Sequence, residues 1–387
     1  MSSKQIYKCL YPLSFLYGIG VRIRNALFDW GFLRSQSFDV PVISVGNITV
    51  GGTGKTPHVE YLVRLLRTQF HVAVLSRGYK RKSSGFLEIG RHTPVEQSGD
   101  EPFQMKQKFP DIPVAVDKKR CRGANLLLAR NPETEAILLD DAFQHRYIQP
   151  GINILLINYH RPLCNDALLP AGRLREPASA QHRANIVIVT KCPDNIKPME
   201  YRILSKQLRL YPYQQLYFST IRYGAIYPLQ APGAYDGITL PSLAEEDAIL
   251  LLTAIASPDA ILCELNKYPA QKHLLTFPDH HFFNKADMEK LDAQFKAMPG
   301  RRKIIVTTEK DATRLAQLPC LGEDIKKHIY ILPIGISFLQ NQQEKFNKYI
   351  IDYVTKNSRN SKLPERQDAH TSQHGHHLRD RIRQPGA

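Results

Sequence analysis

The sequence predicts an α/β protein: a mostly parallel sheet with helices on both faces, followed by a second, smaller α/β domain. Three observations carry that prediction. Short β-branched runs alternate with helical patterns from about residue 42 to about 189, and the runs are apolar throughout instead of alternating. Strands of that kind are buried on both faces of a parallel sheet. A second series of strand and helix patterns begins near 216, beyond a join at 211–230 that is rich in Tyr and Pro and has no long helical pattern.

The first element is a segment over residues 1–35. From Cys9 to Val21, CLYPLSFLYGIGV carries no charge and is bounded by Lys8, Arg22 and Arg24. A span needs roughly 20 apolar residues, so this run is too short. The following VRIRNALFDWGF has no small-residue cleavage site, which argues against a signal peptide. Aromatic residues mixed with basic ones suit a bilayer interface, and a helix packed on its own protein is the equal alternative. Strands are then expected at 42–45, 72–75, 114–116, 136–139, 152–157 and 186–189, within a first domain at 36–215. The smaller domain, 216–355, has strand-like runs at 249–253, 303–307 and 329–332 and a terminal helix. Residues 356–387 have almost no large apolar side chains and an excess of basic ones, so disorder is expected there. Its His370, His374, His376 and His377 sit in a segment with no core to fix a metal geometry.

Composition narrows the partners. The 387 residues hold 52 Lys and Arg against 36 Asp and Glu, a net charge of +16, which calls for an anionic partner: nucleic acid, lipid headgroups or a phosphorylated small molecule. Six scattered cysteines form no C-x-x-C pair, which excludes a disulfide framework or zinc site and fits a reducing, cytosol-facing location.

The chemistry begins at Ser44-Val-Gly-Asn-Ile-Thr-Val-Gly-Gly-Thr-Gly-Lys-Thr-Pro57. It approximates the phosphate-binding consensus G-x-x-x-x-G-K-[ST], but Thr49 stands where the first glycine belongs. The context is the required one. An apolar strand precedes the loop, and Val59, Leu62, Val63 and Leu66 follow at the spacing of one helix face. In such a P-loop, backbone amides of Gly51, Gly52, Thr53 and Gly54 and the helix N-terminus cradle phosphate, Lys55 reaches the β- and γ-phosphates and Thr56 ligates Mg²⁺. Pro57 falls in the first turn, where its missing N–H is tolerated. Downstream, Ala136-Ile-Leu-Leu-Asp140-Asp141 is an apolar strand ending in two acids, the arrangement that holds Mg²⁺ at the carboxyl edge of a P-loop sheet. Loop and acids together imply a nucleoside triphosphate, ATP or GTP, with Mg²⁺.

Further motifs decide the class. GGTGKTP at 51–57, LSRGYKR at 75–81, GDEP at 99–102, DDAFQH at 140–145, LLPAGRLREP at 168–177, FPDHHFF at 277–283 and TEKDATRL at 308–315 stand in an order and spacing that resembles the tetraacyldisaccharide 4'-kinase family over roughly residues 10–335. That family's loop also lacks the first glycine, in agreement with Thr49; Ala142 departs from its usual DDGFQH. The resemblance implies transfer of the γ-phosphoryl of ATP, with Mg²⁺, to the 4'-hydroxyl of a tetraacyldisaccharide 1-phosphate lipid A precursor. It implies a peripheral enzyme at the cytoplasmic face of the bacterial inner membrane, with the lipid and the membrane surface as partners and no obligate protein partner. It further implies Asp100 of GDEP as the base and His280 of FPDHH as its partner, with His281 as the alternative; read alone, Asp100 in Ser98-Gly-Asp-Glu-Pro is a helix cap. Arg77, Arg173 and Arg175 lie in Gly- or Pro-bearing loops where bidentate donors would meet phosphate or sugar. Lys191 and the pair Lys310-Asp311, each after an apolar strand, are weaker candidates for the nucleotide base.

Two other classes compete. A GTP-dependent switch or metallochaperone would share the loop and acids but needs a guanine-reading N-K-x-D, where this chain has Thr190-Lys-Cys-Pro-Asp194. A nucleic-acid binder would interleave basic and aromatic residues on one surface segment, whereas the basic residues here lie at both ends and in phosphate-loop contexts.

Overall fold

A computed structural model describes residues 7–358 apart from 91, 232–236, 256 and 280. The tail histidines and His280 therefore lie outside the described residues. The larger unit is a nine-stranded sheet. From edge to edge its order is Ile334–Phe338, Gln215–Tyr223, Ile186–Thr190, Ile152–Asn158, Val42–Gly46, Ala136–Asp140, Val72–Ser76, Val114–Val116 and Leu87–Glu88. All neighbours pair in parallel except the two edge strands, which run antiparallel. Central strands such as VISVG and AILLD are buried at every position, as continuous apolar runs require.

Both faces of this sheet are covered. On one, Val59, Leu62, Val63 and Leu66 of helix Lys55–Leu66 join Ile43, Val45, Phe103 and Phe346 in a single core. On the other, Ala124 and Leu127 of helix Arg120–Arg130 pack on Ala73, Leu75 and Ile137. The smaller unit is a five-stranded sheet ordered Gln271–Thr276, Ala248–Thr253, Lys303–Thr308, Ile329–Leu332 and Tyr227–Pro228.

The division expected at 216 needs correction at both ends of the second unit. Strand Gln215–Tyr223 belongs to the first sheet, paired with Ile186–Thr190. After the second sheet the chain returns: Ile334–Phe338 pairs with Gln215–Tyr223, and the terminal helix Gln343–Asn357 buries Phe346, Ile350 and Val354 against the core around the loop helix. Burying three such side chains contributes roughly 5–9 kcal/mol, which fixes that helix to the first unit. The second sheet is thus an insertion, joined by two crossings of the chain.

The N-terminal helix Tyr11–Asp29 has an unusual division of faces. Its buried residues are Ser14, Gly18 and Phe28, whereas Leu13, Phe15, Leu16, Ile19 and Ile23 are exposed, as are Trp30 and Phe32 beyond it. Small and polar groups make the attachment: Ser14 Oγ donates to Leu168 O at 3.0 Å, Tyr17 OH to Arg175 O at 2.8 Å and Arg24 Nη2 to Gln144 O at 2.8 Å. A Cβ on Gly18 would lie 2.8 Å from Leu168 Cδ1, so glycine sets the close approach. No described helix is long and apolar enough to cross a membrane.

Candidate active site

The phosphate loop spans the carboxyl end of Val42–Gly46 and the start of Lys55–Leu66. Its first half answers the Thr49 question. Thr49 forms an antiparallel bridge with Leu174, flanked by Val50 N donating to Arg173 O and Arg175 N donating to Ile48 O, both at 2.8 Å. Thr49 is not among the residues with positive φ, and an extended, bridged backbone suits a β-branched side chain better than glycine. The second half does need glycine: Gly54, capping the helix, has φ 81° and ψ 30°. Asn47 Nδ2 donates to Thr53 Oγ1 at 2.8 Å, and Thr190 Oγ1 to Thr53 O at 2.9 Å, so side chains brace the loop and leave its amides for a ligand. Beneath it, His58 faces Gly54 O at 2.6 Å and Ser219 Oγ at 3.0 Å. Burial pushes the His58 imidazole down to about 4, so it supports the loop as a neutral ring.

The two acids ending Ala136–Asp140 have different environments. Asp140 is 4% exposed, and its Oδ2 accepts from Ser76 Oγ at 3.1 Å while its Oδ1 is buried with no hydrogen-bond partner. Burial, then the nearby Glu101 and Asp141 carboxylates, push it up to about 7. Asp141, with φ 48°, turns toward cations: Lys55 Nζ at 3.6 Å and Arg175 Nη1 at 3.3 Å, with Arg120 Nη2 3.4 Å from its carbonyl. Burial raises its carboxyl, but Lys55, Arg175 and Arg120 outweigh that and hold it below the ordinary range. The orphaned Asp140 oxygen tests the fit of a hard cation, and it fits: Asp140 and Asp141 at the end of one strand and Thr56 at the start of the loop helix beside it all offer oxygen donors, although no group of three or more His, Cys, Asp or Glu able to hold a metal ion occurs among the described residues.

Around these acids lies a cationic rim that the sequence only partly disclosed. Arg120, 2% exposed, is held down to about 10 by burial despite the attraction of Asp141 and Asp140. Arg77 lies close enough to Arg120 and His145 to depress both, after burial. On the other side of the loop, a Cβ on Gly51 would lie 3.4 Å from Arg161 Nη1, and one on Gly52 3.6 Å from Lys191 Nζ. Arg173 faces Arg161 closely enough to lower it, after burial. Arg77, Arg173, Arg175 and Lys191 thus lie around the loop and the strand-end acids. Arg120 and Arg161 were not singled out in the sequence; each comes a few residues after a strand of this sheet.

Asp100, expected as the base, has a partner that was not expected. Asp100 is the first residue of helix Asp100–Lys108, whose N-cap is Gly99. Its Oδ1 accepts from Arg314 Nε at 3.1 Å and its Oδ2 from Arg314 Nη2. His280, its expected partner, lies outside the described residues. His281 is engaged elsewhere, with Nε2 2.8 Å from Asp287 Oδ2 and its ring stacked on Phe277. Lys310 pairs with Asp279 at 3.5 Å, and buried Asp311 accepts from Thr253, Ala254 and Thr308.

A strand-loop-helix cradle of amides, backed by strand-end carboxylates, handles phosphate esters, and the class so defined is that of P-loop phosphotransferases. The comparisons with known proteins reach the same class. The family described as tetraacyldisaccharide-1-P 4'-kinase (LpxK) matches residues 6–355. The tetraacyldisaccharide 4'-kinase of Phocaeicola vulgatus is 57% identical over 359 residues, covering 92% of this chain and 98% of that protein. The Flavobacterium johnsoniae enzyme of the same name is 45% identical over 350 residues, covering 90% and 98%. A crystal structure of Aquifex aeolicus LpxK in complex with ATP aligns with a TM-score of 0.68 at 28% identity, covering 89% of this chain and 98% of that one. The chain belongs to the tetraacyldisaccharide 4'-kinase family.

Proposed function

We infer that this kinase transfers the γ-phosphoryl of ATP to the 4'-hydroxyl of a tetraacyldisaccharide 1-phosphate. The observation that carries the reading is the meeting of Lys55 with Asp141 beside the orphaned Asp140 oxygen, at the foot of a loop whose amides are free for phosphate. Lys55 and the amides of Gly51, Gly52, Thr53 and Gly54 hold the triphosphate. Thr56, Asp140 and Asp141 would hold Mg²⁺, which when bound supplies positive charge to the phosphates. Asp100 takes the proton from the attacking hydroxyl, and His280 is its partner in the family pattern. Arg77, Arg120 and Arg175 offer planar donors to the phosphate or sugar of the acceptor, and Arg161, Arg173 and Lys191 face the nucleotide side. ATP is preferred to GTP because the guanine-reading N-K-x-D is missing here: the stretch reads Thr190-Lys-Cys-Pro-Asp194, with Pro193 where its acid would stand.

The site works at a membrane surface. A four-chain lipid does not leave a bilayer readily, so the enzyme must come to it. The exposed apolar face of Tyr11–Asp29 supports a peripheral, monotopic contact, and its inner face is attached at Leu168, Arg175 and Gln144, next to the acceptor side of the site. The cytoplasmic leaflet follows from the use of ATP. The deciding assay combines purified protein, Mg-ATP and disaccharide 1-phosphate lipid in detergent or vesicles: a second phosphate on the lipid is expected. Hydrolysis of ATP with no lipid product would refute the acceptor.

A further inference from the structure

Three of the motifs quoted above converge on one side chain in the second unit. Arg314, in helix Glu309–Leu315, is 6% exposed and lies across the junction from Asp100. Its Nε and Nη2 take the two oxygens of Asp100, its Nη1 donates to His281 O at 3.1 Å, and the same Nη1 is 3.5 Å from Asp311 Oδ1. The GDEP, FPDHH and TEKDATRL segments are thereby held together by one guanidinium. The contact is built in from both sides. Thr308 caps the Arg314 helix by accepting from Asp311 N at 3.1 Å, and Asp311 is anchored to Thr253 and Ala254 of the second sheet. At the far end of the same helix pair, Lys108 bridges Glu309 at 2.5 Å and Glu60 of the loop helix at 2.6 Å. Helices Asp100–Lys108 and Glu309–Leu315 therefore run antiparallel, pinned by an ion pair at each end.

We propose that Arg314 is a positioning residue for phosphoryl transfer: the inserted second unit uses it to orient the Asp100 carboxylate and to draw the 281 backbone against it. This deepens the functional reading above and rests on Asp100 being the base. The physical reason is geometric. A buried carboxylate left alone swings about its side-chain torsions and resists ionisation, whereas a planar fork fixes both oxygens in one plane and keeps them charged. It also gives the inserted unit, which supplies none of the phosphate loop or strand-end acids, a direct role in the chemistry. Lysine preserves the charge but not the fork, so Arg314→Lys should retain part of the function and Arg314→Gln very little.

The test is a double-mutant cycle on the full chain in the lipid kinase assay: Arg314→Gln, Arg314→Lys, Asp100→Asn and Asp100→Asn with Arg314→Gln. Turnover of Arg314→Gln should fall roughly 100-fold, within the range that general base catalysis supplies, while KM for ATP stays within about threefold. Arg314→Lys should recover to within about tenfold of the native turnover. In the Asp100→Asn background the further loss of Arg314 should change turnover by less than about threefold, because its partner is already neutral. The double variant also removes the buried charge of Asp100, and thermal melts of all four identify any variant lost to unfolding. Multiplicative losses in the double variant, or native turnover in Arg314→Gln, would overturn the proposal. Native turnover in Asp100→Asn would instead overturn the assignment of the base, a separate outcome.

Discussion

Replacing Asp140 by Asn should make the protein more stable while removing its activity, and the size of the effect can be worked from the site. Asp140 is 4% exposed, and burial, Glu101 and Asp141 raise its carboxyl from 3.8 to about 7. An acid whose folded pKa lies above its unfolded one favours unfolding once the unfolded chain can ionise. Below about pH 4 both states hold the proton and nothing is lost. As pH rises from there to 7 the unfolded state releases its proton and the folded state does not, so stability falls; above 7 the loss is constant. About three pKa units at ~1.4 kcal/mol each give a penalty on the order of 4 kcal/mol at pH 8 and roughly 1–2 kcal/mol at pH 5. Asparagine keeps the shape and carries no charge, so the variant escapes this penalty. At ~2 °C per kcal/mol for a unit of this size, its melting temperature should exceed the native one by roughly 8 °C at pH 8 and roughly 3 °C at pH 5. The assay is a thermal melt of both proteins in chelator at the two pH values, repeated with Mg-ATP. Ligand should stabilise the native protein far more than the variant, because the charge that destabilises the empty fold is the one that receives the cation. A variant no more stable than native at pH 8, or a gap that does not narrow at pH 5, would refute the reasoning.

Other perturbations test the remaining parts of the reading. Lys55→Ala removes the cation between the loop and Asp141 and should lower turnover by roughly 10²–10³-fold with the fold intact; activity near native would take the loop out of the mechanism. Leu16→Glu combined with Ile19→Glu, at exposed positions of the N-terminal helix, should weaken sedimentation with anionic vesicles by roughly 100-fold or more at an unchanged melting temperature. Unaltered vesicle binding would place the membrane contact elsewhere. Lys108→Met strands Glu60 and Glu309 together in the interior and should cost about 3–5 kcal/mol in denaturant unfolding. Burial already raises Glu60, so the loss should shrink as pH falls and a carboxyl takes up its proton; a pH-independent loss would contradict the ion-cluster account.

The elements legible in the sequence are those whose burial is uniform. VISVG, AILLD and IVIVT are covered on both faces, and nothing but a central parallel strand asks for such a run. Gln215–Tyr223, QLYFSTIRY, mixes aromatic, hydroxyl and charged residues because it lies next to an edge, and it reads as a join. The return of the chain to the first sheet at Ile334–Phe338 has no local signature at all, since pairing with residues more than a hundred positions earlier is decided by the packed faces. The site divides the same way. Lys55, Thr56, Asp140 and Asp141 act through the backbone turns they occupy, and those turns are written in neighbouring residues. Arg120, Arg161 and Arg314 act across the fold, and in a chain with 52 basic residues no spacing distinguishes them.

Thr49 shows how a departure from a consensus can carry structural information. A glycine at that position gives the loop backbone latitude, and latitude has to be removed by ligand binding. Here the first half of the loop is a short β-ribbon with Ile48, Thr49 and Val50 laid against residues 173–175, so its conformation is set before any nucleotide arrives. The partner strand is no passive support. It carries Arg173 toward Arg161 on the nucleotide side and Arg175 onto Asp141 on the acid side, and Arg175 O receives Tyr17 of the N-terminal helix. The residue that breaks the spelling therefore couples the phosphate cradle to the arginines and to the helix with the exposed apolar face. Glycine there would satisfy the pattern and loosen that coupling. In this family member the loop, the segment at residues 173–175 and the helix with the exposed apolar face are one connected structure, and Thr49 is where the connection enters the loop.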